Sequence, residues 1–481
     1  MNEKYAQLLI GRESSSAILE EAYHSERPRL VAVIGRRRIG KTYLVRTVFE
    51  DRLAFAVTGI ARASLQTQLE GFGFQLEEWF GKGEDRDTTS WLRALATLTR
   101  CIDASLAKDA ARRVVFFDEL PWLASRRSGF LAAFSWFWNS WAVNRRVTVV
   151  ICGSAAAWMI RKVVRDKGGL HNRITDRITL RPFTLSEANA FCDHKGVPAD
   201  DYQRLQLYTT LGGVPFYLDQ LRPGESAIKS IDRLLFGAEA PLAREFELLY
   251  ASLFENPELH VAIVRLLAEK QSGITRRQVV TQLGATSGGH VTRALEELEL
   301  SGFIQRAFPF DGRKRDILYW LTDEFTAFHL KYLGDLKALT STFASLSKSP
   351  SYKSWAGFAF ERACRKHAPQ VAKALGIGGI AYQVKTFRRV ASETAGGVQV
   401  DLLLDRDDRV VTLCEVKFSQ SDFVLSKEYA QELQEKRRRF QSHSKTRKHV
   451  SLVIVTTYGV VGPPSIVGLL DGVVTLQDFF N

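Results

Sequence analysis

The feature that most constrains this chain is an eight-residue motif close to its start. Gly35 to Thr42 reads Gly-Arg-Arg-Arg-Ile-Gly-Lys-Thr, which fits the pattern G-x-x-x-x-G-K-[ST], and it directly follows the apolar run Leu30 to Ile34. A strand that ends in a glycine-rich loop and continues into a helix presents backbone N–H groups and a helix N-terminus to phosphates. The sequence therefore predicts a strand, a phosphate-binding loop and a helix, with a nucleoside triphosphate as ligand.

The chemistry of phosphate binding gives each position of this motif a role. Lys41 would reach the β- and γ-phosphates, and Thr42 would bring its hydroxyl to Mg²⁺. The loop backbone that would surround the phosphates comprises Gly35, Arg36, Arg37, Arg38, Ile39 and Gly40.

Two further apolar runs end in polar residues suited to the same site. Arg113 to Phe117 precedes Asp118 and Glu119, and buried carboxylates at a strand end are costly unless they meet a cation. Asp118 is therefore the predicted Mg²⁺ partner, and Glu119 is the predicted base that orients the attacking water. Together with the loop, these acids predict hydrolysis of the nucleotide.

The next run, Val147 to Cys152, leads to Ser154, which we expect beside the γ-phosphate. Arg173 is a candidate arginine finger, although Arg177 lies four residues on and is equally able. An ordinary surface ion pair remains an open alternative for either arginine.

The order of these motifs resembles the archaeal-type ATPases, a branch of the AAA+ and STAND group of P-loop proteins. The resemblance covers about the first half of the chain and implies an α/β ATPase fold with a parallel sheet, a helical lid and ATP as the nucleotide. It also implies that Gly11 and Arg12 lie near the adenine and that Gly213 and Pro215 belong to the lid. The matching segments are Ile10 to Glu13, Gly35 to Thr42, Asp118 to Pro121, Gly153 to Ser154, Leu170 to Arg173 and Gly212 to Leu218.

The composition bounds the partners and the compartment. A formal net charge of +13 and a pI near 9.5 favour a polyanionic partner such as nucleic acid. No run approaches the roughly 18 apolar residues of a membrane span, so no membrane partner is expected. The five cysteines have no C-x-x-C spacing and are expected to be reduced core residues of a cytoplasmic protein.

The segment from Asn256 to Thr322 predicts a winged helix. A short helix, a turn and a second helix precede two strands that are joined by a basic turn, which together describe a helix-turn-helix with a wing. These elements are Ile274 to Val280, Leu283 to Thr286, the helix capped by Ser287, the strands Phe303 to Ala307 and Asp316 to Leu321, and the turn Asp311 to Arg315.

Contact between this module and DNA is opposed by its own acidic residues. Glu296, Glu297 and Glu299 lie in the second half of the predicted recognition helix and would repel phosphates, whereas the wing tip Arg313 to Arg315 would attract them. We expect backbone contact through the wing rather than base reading. A role as a protein adaptor remains open, because winged helices serve both purposes.

Helical spacing of Phe130, Phe134, Phe137 and Trp141 predicts a buried face. Trp136 and Trp138 fall partly off that stripe and leave open a subunit interface in a homo-oligomer, since aromatic residues are enriched at interfaces.

Two strands near the C-terminus carry a second chemical signal. Val398 to Leu404 and Val410 to Phe418 predict a hairpin, and a hairpin centred on Asp408 puts Asp401 opposite Glu415, with Lys417 on the same face. Two apposed carboxylates are destabilising, so such a pair calls for a divalent cation or a raised pKa, and with Lys417 beside them a metal site is the economical answer. Asp401, Glu415 and the Val416 carbonyl are therefore predicted to bind Mg²⁺ or Mn²⁺, with Lys417 steering the attacking water; a one-residue register slip would undo this geometry.

The spacing D-x13-E-x-K resembles the PD-(D/E)XK nucleases, although Val400 stands where the usual proline precedes the aspartate. The resemblance implies a restriction-endonuclease-like α/β domain, with Glu361 as an additional catalytic acid and the basic helix Lys427 to Phe440 along the phosphate backbone. A decayed, inert nuclease fold remains an alternative. The predicted domains are residues 1–224 for the ATPase with its lid, 225–340 for a helical connector and the winged helix, and 350–481 for the nuclease-like domain, with a linker at Ser341 to Ser354.

The sequence as a whole predicts an ATP-dependent DNA-acting enzyme in which nucleotide state controls a metal-dependent phosphodiesterase. The alternatives are a nucleotide-switched DNA-binding regulator with an inert nuclease fold, and an ATPase adaptor that recruits proteins through the winged helix. Divalent-metal binding at Asp401 and Glu415 separates the first function from the other two.

Overall fold

The structure is a computed structural model that describes residues 9–83, 86–165, 168–170, 172–237, 239–285, 288–312, 316–334, 342–389 and 397–480. The chain divides into two compact units, Met1–Pro182 and Phe183–Asn481. The predicted wing tip Arg313 to Arg315 and the predicted helix cap Ser287 lie outside the described residues.

A parallel sheet forms the centre of the first unit. Its strands lie in the order β2-β3-β4-β1-β5, and every neighbouring pair runs parallel. This is the α/β arrangement predicted for a P-loop ATPase. The strands are β1 Arg29–Ile34, β2 Leu53–Thr58, β3 Val114–Asp118, β4 Thr148–Gly153 and β5 Asp176–Thr179.

Helices cover this sheet because their apolar faces and its buried strands share one core. Val31 and Val33 of β1 pack with Leu44 and Val48, which follow the phosphate-loop motif. The helices of the unit are α1 Glu13–His24, α2 Lys41–Phe49, α3 Leu65–Phe80, α4 Trp91–Leu106, α5 Leu120–Leu123, α6 Phe130–Trp136 and α7 Ala156–Met159.

The aromatic stripe after Gly129 is core, as its spacing predicts. Its four members, Phe130, Phe134, Phe137 and Trp141, are all buried, although the helix widens into a π-helical turn at Phe137–Trp141. That turn also rotates Trp138 inward, so Trp138 is buried as well. Trp136 is 37% exposed, and it alone of the two candidate interface tryptophans reaches the surface of its unit.

The second unit begins with helices and ends in a mixed α/β layer. Its described helices are α8 Leu185–His194, α9 Asp201–Leu211, α10 Pro215–Leu218, α11 Ala227–Leu235, α12 Glu245–Leu253, α13 Pro257–Glu269, α14 Arg276–Gln282, α15 Gly288–Leu300, α16 Glu324–Tyr332, α17 Phe343–Leu346, α18 Pro350–Lys366, α19 Ala368–Ala374, α20 Lys427–Ser444 and α21 Pro464–Val467.

An eight-stranded sheet runs through the second unit in the order β15-β13-β11-β10-β9-β7-β8-β6. Strands β9, β10 and β11 are antiparallel neighbours, whereas β11, β13 and β15 are parallel. The strands are β6 Ile274–Thr275, β7 Ile304–Pro309, β8 Leu318–Leu321, β9 Tyr382–Arg389, β10 Val398–Arg406, β11 Val410–Lys417, β13 His449–Thr456 and β15 Gly472–Val474, and a separate pair is formed by β12 Phe423–Val424 and β14 Val460–Val461.

Helices pack on both faces of the C-terminal strands. Leu402 and Leu404 share a core with α18 and α19, while the alternate residue Leu403 packs with Leu433 and Phe440 of α20. This alternation follows from the two-residue period of a strand. The C-terminal part of the unit is therefore a sheet between two helical layers.

Strand β7 joins the helical segment before it to this C-terminal sheet. Phe308 and Pro309 pair in parallel with Lys385 and Thr386 of β9, and the Phe310 N–H donates to the Thr386 carbonyl over 2.8 Å. Asp311 forms an ion pair with Arg389, and the rings of Phe310 and Phe440 lie 5.3 Å apart. We call this set of contacts the β7–β9 joint.

Two segments differ from the sequence-based prediction. Ile274 and Thr275 form strand β6 against β8, and helix α14 begins only at Arg276 because Thr275 caps it together with Gln278. The predicted linker contains helix α17, and its Phe343 is fully buried in the core of the second unit. Serine-rich composition alone therefore did not identify an extended segment there.

All five cysteines are free thiols, and Cys152, Cys192, Cys364 and Cys414 are buried. Among the described residues no helix is both long enough and apolar enough to cross a membrane.

Candidate nucleotide site and carboxylate site

The loop between β1 and α2 is shaped by its glycines. A Cβ on Gly35 would lie 2.3 Å from the Ile39 side chain and 2.6 Å from the Leu180 carbonyl oxygen, so only glycine fits there. Gly40 has φ of 86°, in the left-handed region that glycine adopts without strain. Arg36 is buried and Arg37 is exposed, whereas Arg38 takes a positive φ of 71°.

Lys41 lies at the start of α2 and points back across this loop. Its Nζ donates to the Arg36 carbonyl over 3.0 Å and to Ser154 Oγ over 3.2 Å. Burial lowers the pKa of Lys41, while the carboxylates of Glu119 and Asp118 oppose that shift by favouring the charged form. An ammonium held this way is ready to exchange a carbonyl for phosphate oxygens.

Thr42 and Asp118 meet at the carboxyl end of β3. The Thr42 hydroxyl donates to Asp118 Oδ2 over 2.7 Å. Burial raises the pKa of Asp118, and the Thr42 hydrogen bond partly offsets this. A hydroxyl and a carboxylate in contact are hard oxygen donors that suit Mg²⁺, so these two residues fit the predicted metal role.

Glu119 is held by Ser154, which follows the neighbouring strand. The Ser154 N–H donates to Glu119 Oε2 over 3.1 Å, and the Ser154 hydroxyl is bonded to Oε1. Glu119 itself has φ of 47°, a left-handed conformation that is uncommon for a non-glycine residue and frequent at functional sites. Ser154 thus lies between Lys41 and Glu119.

Of the two residues predicted near the adenine, Arg12 contacts the phosphate loop and Gly11 contacts Glu13. Arg12 is buried and donates to the carbonyls of Ile39 over 3.2 Å and Arg181 over 3.1 Å. The Gly11 N–H donates to Glu13 Oε1 over 3.1 Å. Arg12 therefore fastens the phosphate loop to the segment that follows β5.

Both candidate finger arginines are exposed. Arg173 lies in a turn whose N–H donates to the Leu170 carbonyl over 3.1 Å, and Arg177 lies on β5, where its Nε donates to Thr179 Oγ1 over 3.3 Å.

The predicted lid segment packs within the second unit. A Cβ on Gly213 would lie 2.0 Å from the Phe183 carbonyl oxygen, and Pro215 is the first residue of α10. Leu205 and Leu211 of α9 share a core with Trp355 and Phe360 of α18. The helices α8 to α10 therefore belong to the same compact unit as the C-terminal sheet.

His367 ties the first of these helices to α18. The Leu185 N–H donates to His367 Nε2 over 3.0 Å, so the ring proton is on Nδ1, which lies 2.8 Å from the Ala363 carbonyl oxygen. Burial, and next the charge of Lys366, lower the pKa of His367 to about 3. The ring is neutral, with both nitrogens in hydrogen bonds.

The predicted register of the C-terminal hairpin is confirmed. Leu402 pairs with Cys414 and Leu403 pairs with Leu413, and extending this antiparallel register by one residue brings Asp401 opposite Glu415. The Val416 N–H donates to Asp401 Oδ2 over 3.1 Å. Burial raises the pKa of Asp401, and the charge of Glu415 raises it further.

Glu415 is surrounded by donors from two elements. Lys417 Nζ lies 3.0 Å from its Oε1, the Tyr429 hydroxyl donates to Oε1 over 2.7 Å, and Lys436 Nζ is bonded to its Oε2. Burial acts to raise the pKa of Glu415, but Lys436 and Lys417 outweigh it and hold the pKa below its usual value.

Glu361 completes the group from helix α18. Burial, and next the charge of Asp401, raise the pKa of Glu361 to about 7. Arg365, one turn further along, donates to Glu361 Oε2 and to the Asp401 carbonyl, each over 2.8 Å. The predicted residues Glu361, Asp401, Glu415 and Lys417 are therefore brought together.

Two contacts of this site lie on α20 and were not predicted. Tyr429 and Lys436 are seven residues apart and flank the buried Leu433, so they share the helix face that meets the sheet. The sequence carried a signal for this, because a lysine at i, i+4, i+7 spacing with apolar residues lies on the inner face. The resemblance to the nucleases instead predicts that the basic helix Lys427 to Phe440 lies along a phosphate backbone.

The donor set of the carboxylate site is of the oxygen type. Asp401, Glu415 and the Val416 carbonyl are ligands that Mg²⁺ or Mn²⁺ accepts, so these residues fit such an ion by their chemistry. Within the described ranges, however, no group of three or more His, Cys, Asp or Glu residues is gathered closely enough to hold a metal.

Comparison with known proteins identifies the first part of the chain. Residues 9–221 match a family described as an ATPase domain predominantly from Archaea. Over 422 residues the chain is 22% identical to uncharacterized protein MJECL04 of Methanocaldococcus jannaschii. The aligned region covers 85% of this chain and 88% of that protein.

Solved structures give weaker likenesses. The Walker-type ATPase PABY2304 of Pyrococcus abyssi is 19% identical, with a TM-score of 0.47, over 67% of this chain and 96% of that one. The ORC2 protein of Aeropyrum pernix is 16% identical, with a TM-score of 0.40, over 67% of this chain and 93% of that one. The motif geometry and the family match agree that residues 9–221 carry an ATPase domain of the archaeal type.

Proposed function

We propose that this chain is an ATP-hydrolysing, DNA-acting protein in which nucleotide state controls a metal-dependent phosphodiesterase. The observation that carries the proposal is the strand ladder that sets Asp401 opposite Glu415, with Lys417 Nζ 3.0 Å from Glu415 Oε1. A buried group of acids with one lysine on the same face is suited to hydrolysis of a phosphate ester.

The order of elements around this group supports the proposal. Helices α18 and α19 are followed by three antiparallel strands, β9 to β11, and then by the short strand β12, helix α20 and strand β13, which is parallel to β11. We assign this arrangement to the PD-(D/E)XK nuclease fold, on the motif that the hairpin carries.

The residues divide the work of phosphodiester hydrolysis. Asp401, Glu415 and the Val416 carbonyl would hold Mg²⁺ or Mn²⁺. When bound, the ion would polarise the phosphate and activate a water molecule. Lys417 would stabilise the negative charge that develops on the phosphate. Glu361, with its pKa raised to about 7, is suited to exchange a proton near neutral pH.

On the ATP side, Lys41 would bind the phosphates while Thr42 and Asp118 hold Mg²⁺. Glu119 would orient the attacking water. Its carboxylate is bonded to Ser154, so we assign that contact to a resting state from which Glu119 must turn away.

The DNA-binding part of the proposal rests on residues 257–321. Helices α13 to α15 and strands β6 to β8 have the order of a winged helix, and β6 and β7 both pair with β8. Glu297 is bonded to His260 over 2.8 Å, and Glu299 is bonded to Arg306 over 2.6 Å. Two of the acids that would oppose phosphates are therefore already neutralised or hydrogen-bonded within the protein.

Nucleotide control has a physical route through Phe418. This residue directly follows Lys417, and its ring lies 5.7 Å from that of Tyr202 on α9 and 6.2 Å from that of Phe360, which precedes Glu361. A movement of the predicted lid helices would therefore reach both sides of the carboxylate site.

The test compares Asp401→Asn with Asp405→Asn, which makes the same change on the same strand at an ion pair with Lys448. We expect only Asp401→Asn to lose Mn²⁺ binding by calorimetry and cleavage of linear, supercoiled and single-stranded DNA. ATP hydrolysis should continue in both variants. Equal Mn²⁺ binding by the wild type and Asp401→Asn would make the nuclease proposal wrong.

A second candidate is a nucleotide-switched DNA-binding regulator with an inert nuclease fold. It is favoured by the two lysines that already neutralise Glu415. Salt-dependent DNA binding without cleavage under any metal would select it.

A further inference from the structure

The carboxylate site already contains an internal cation on each oxygen of Glu415. Lys417 Nζ lies 3.0 Å from Oε1, and Lys436 Nζ is bonded to Oε2. The Lys436 side chain is 25% exposed, whereas Arg438 on the same helix is 76% exposed. Lys436 therefore belongs to the site, and Arg438 belongs to the surface.

Several cations face the acids of this site. Glu361, Asp401 and Glu415 are met by Arg365, Lys417 and Lys436, and the charge of Arg362 also interacts with that of Glu361. Arg365 is fixed by two hydrogen bonds, and Lys417 is fixed on β11, which is paired on both sides. Lys436 comes from a helix on a four-carbon stem, so it can withdraw without disturbing the sheet.

We propose that Lys436 stands in for the divalent cation when the site is metal-free and must be displaced from Glu415 Oε2 for that cation to bind. This inference rests on the function proposed above. An ammonium and a divalent cation repel each other strongly at bonding distance from one carboxylate oxygen. Lys436 therefore keeps the acids assembled before metal binds, and it lowers the metal affinity of the site.

The test measures Mn²⁺ affinity by calorimetry on the full chain with three replacements. Lys436→Gln should bind Mn²⁺ about tenfold or more tightly than the wild type, because the competing charge is gone. Lys436→Arg should bind it more weakly than the wild type, because a guanidinium can bind the carboxylate bidentately. Arg438→Gln, which removes the same charge from the same helix, should match the wild type.

Thermal stability gives a second readout that needs no turnover. In EDTA, Lys436→Gln should melt below the wild type, and added Mn²⁺ should raise its Tm by more than it raises that of the wild type. If Lys436→Gln does not fold, the reduced affinity of Lys436→Arg still carries the test.

The outcomes separate the two proposals. Mn²⁺ binding that is lost in Asp401→Asn yet equal in the wild type and both Lys436 variants would overturn the role of Lys436 and leave the metal site standing. An absence of Mn²⁺ binding in every protein, Lys436→Gln included, would overturn both.

Discussion

Ser154 connects the two residues to which we assign ATP binding and hydrolysis, Lys41 and Glu119. Its hydroxyl accepts from Lys41 Nζ over 3.2 Å, while its N–H donates to Glu119 over 3.1 Å. One small side chain thus touches both the phosphate-binding lysine and the proposed base. The arrangement makes separable predictions for the two neighbours.

Lys41→Ala should remove ATP affinity, by about a hundredfold or more, because a charge-assisted contact to phosphate is lost. Glu119→Gln should keep ATP binding and lower hydrolysis by about a hundredfold or more, because the group acts on water. Fluorescent-nucleotide binding and phosphate release measure the two effects. A normal rate of ATP hydrolysis in Glu119→Gln would show that Glu119 is not the residue that orients the attacking water.

A prediction about pH follows from His367. Its pKa is about 3 in the folded chain, below the ordinary value of 6.5, so between those values the unfolded chain binds one more proton. Folding stability should therefore be lost as pH falls from 6.5 toward 3, by about 1.4 kcal/mol for each pH unit.

His367→Gln keeps an acceptor and a donor at this position but does not titrate. Urea unfolding at pH 7 and pH 5 should show a smaller loss of stability in His367→Gln than in the wild type. Equal losses in the two proteins would show that His367 does not contribute this proton.

The residues of the carboxylate site differ in how well the sequence predicted them. Asp401, Glu415 and Lys417 follow from strand alternation and one turn, which are local signals that fix register. Lys436 reaches Glu415 from a helix that follows β12; its spacing from Tyr429 and Leu433 indicates the inner face, but only tertiary packing decides which strand residue that face meets. The contacts of Arg12 have the same limit, since they reach carbonyls far along the chain.

At the scale of elements, two acidic side chains of α15, the predicted recognition helix, are already paired within the protein. Glu297 also accepts from Arg293 over 3.2 Å, in addition to His260, and Glu299 is held by Arg306 of β7. The sequence of one helix cannot predict pairings across elements, because the partner residues lie on other helices and strands. The basic residues Arg313 to Arg315 are therefore the ones to test for DNA contact.

Replacing Arg313, Lys314 and Arg315 together by alanine should weaken DNA binding evenly across sequences. The slope of log K against log salt should fall by up to about 3, because each lost phosphate contact releases about one counterion fewer. Replacing the exposed pair Arg126 and Arg127 is the control, and its slope should not change. An unchanged slope for the wing variant would assign the winged helix to an adaptor role.

At the scale of the whole molecule, the division of the chain is not where the sequence motifs end. The ATPase family match runs to residue 221, whereas the first compact unit ends at Pro182. Helices α8 to α10 match the ATPase family yet share a core with α18. Motif order could not predict this, because it carries no information about which core a segment joins.

Arg173 is predicted to act as a finger on a neighbouring subunit. If so, Lys41→Ala subunits can supply an intact Arg173 to Arg173→Ala subunits. Mixing the two inactive proteins should then restore part of the ATP hydrolysis measured for the wild type. An Arg177→Ala and Lys41→Ala mixture distinguishes the two arginines, and no rescue in either mixture would argue for action within one subunit or for none.

If the proposed nuclease and wing act together, the β7–β9 joint has a consequence for where a bound strand would be cut. Backbone pairing, an ion pair and an aromatic contact fix the base of the predicted wing to the sheet that carries Asp401. A duplex bound by the wing would then meet the carboxylates at a fixed distance, measured along the duplex axis, from the site where the wing binds. Cleavage would therefore occur at a constant number of base pairs from the position that the wing contacts, whatever the base sequence between the two positions.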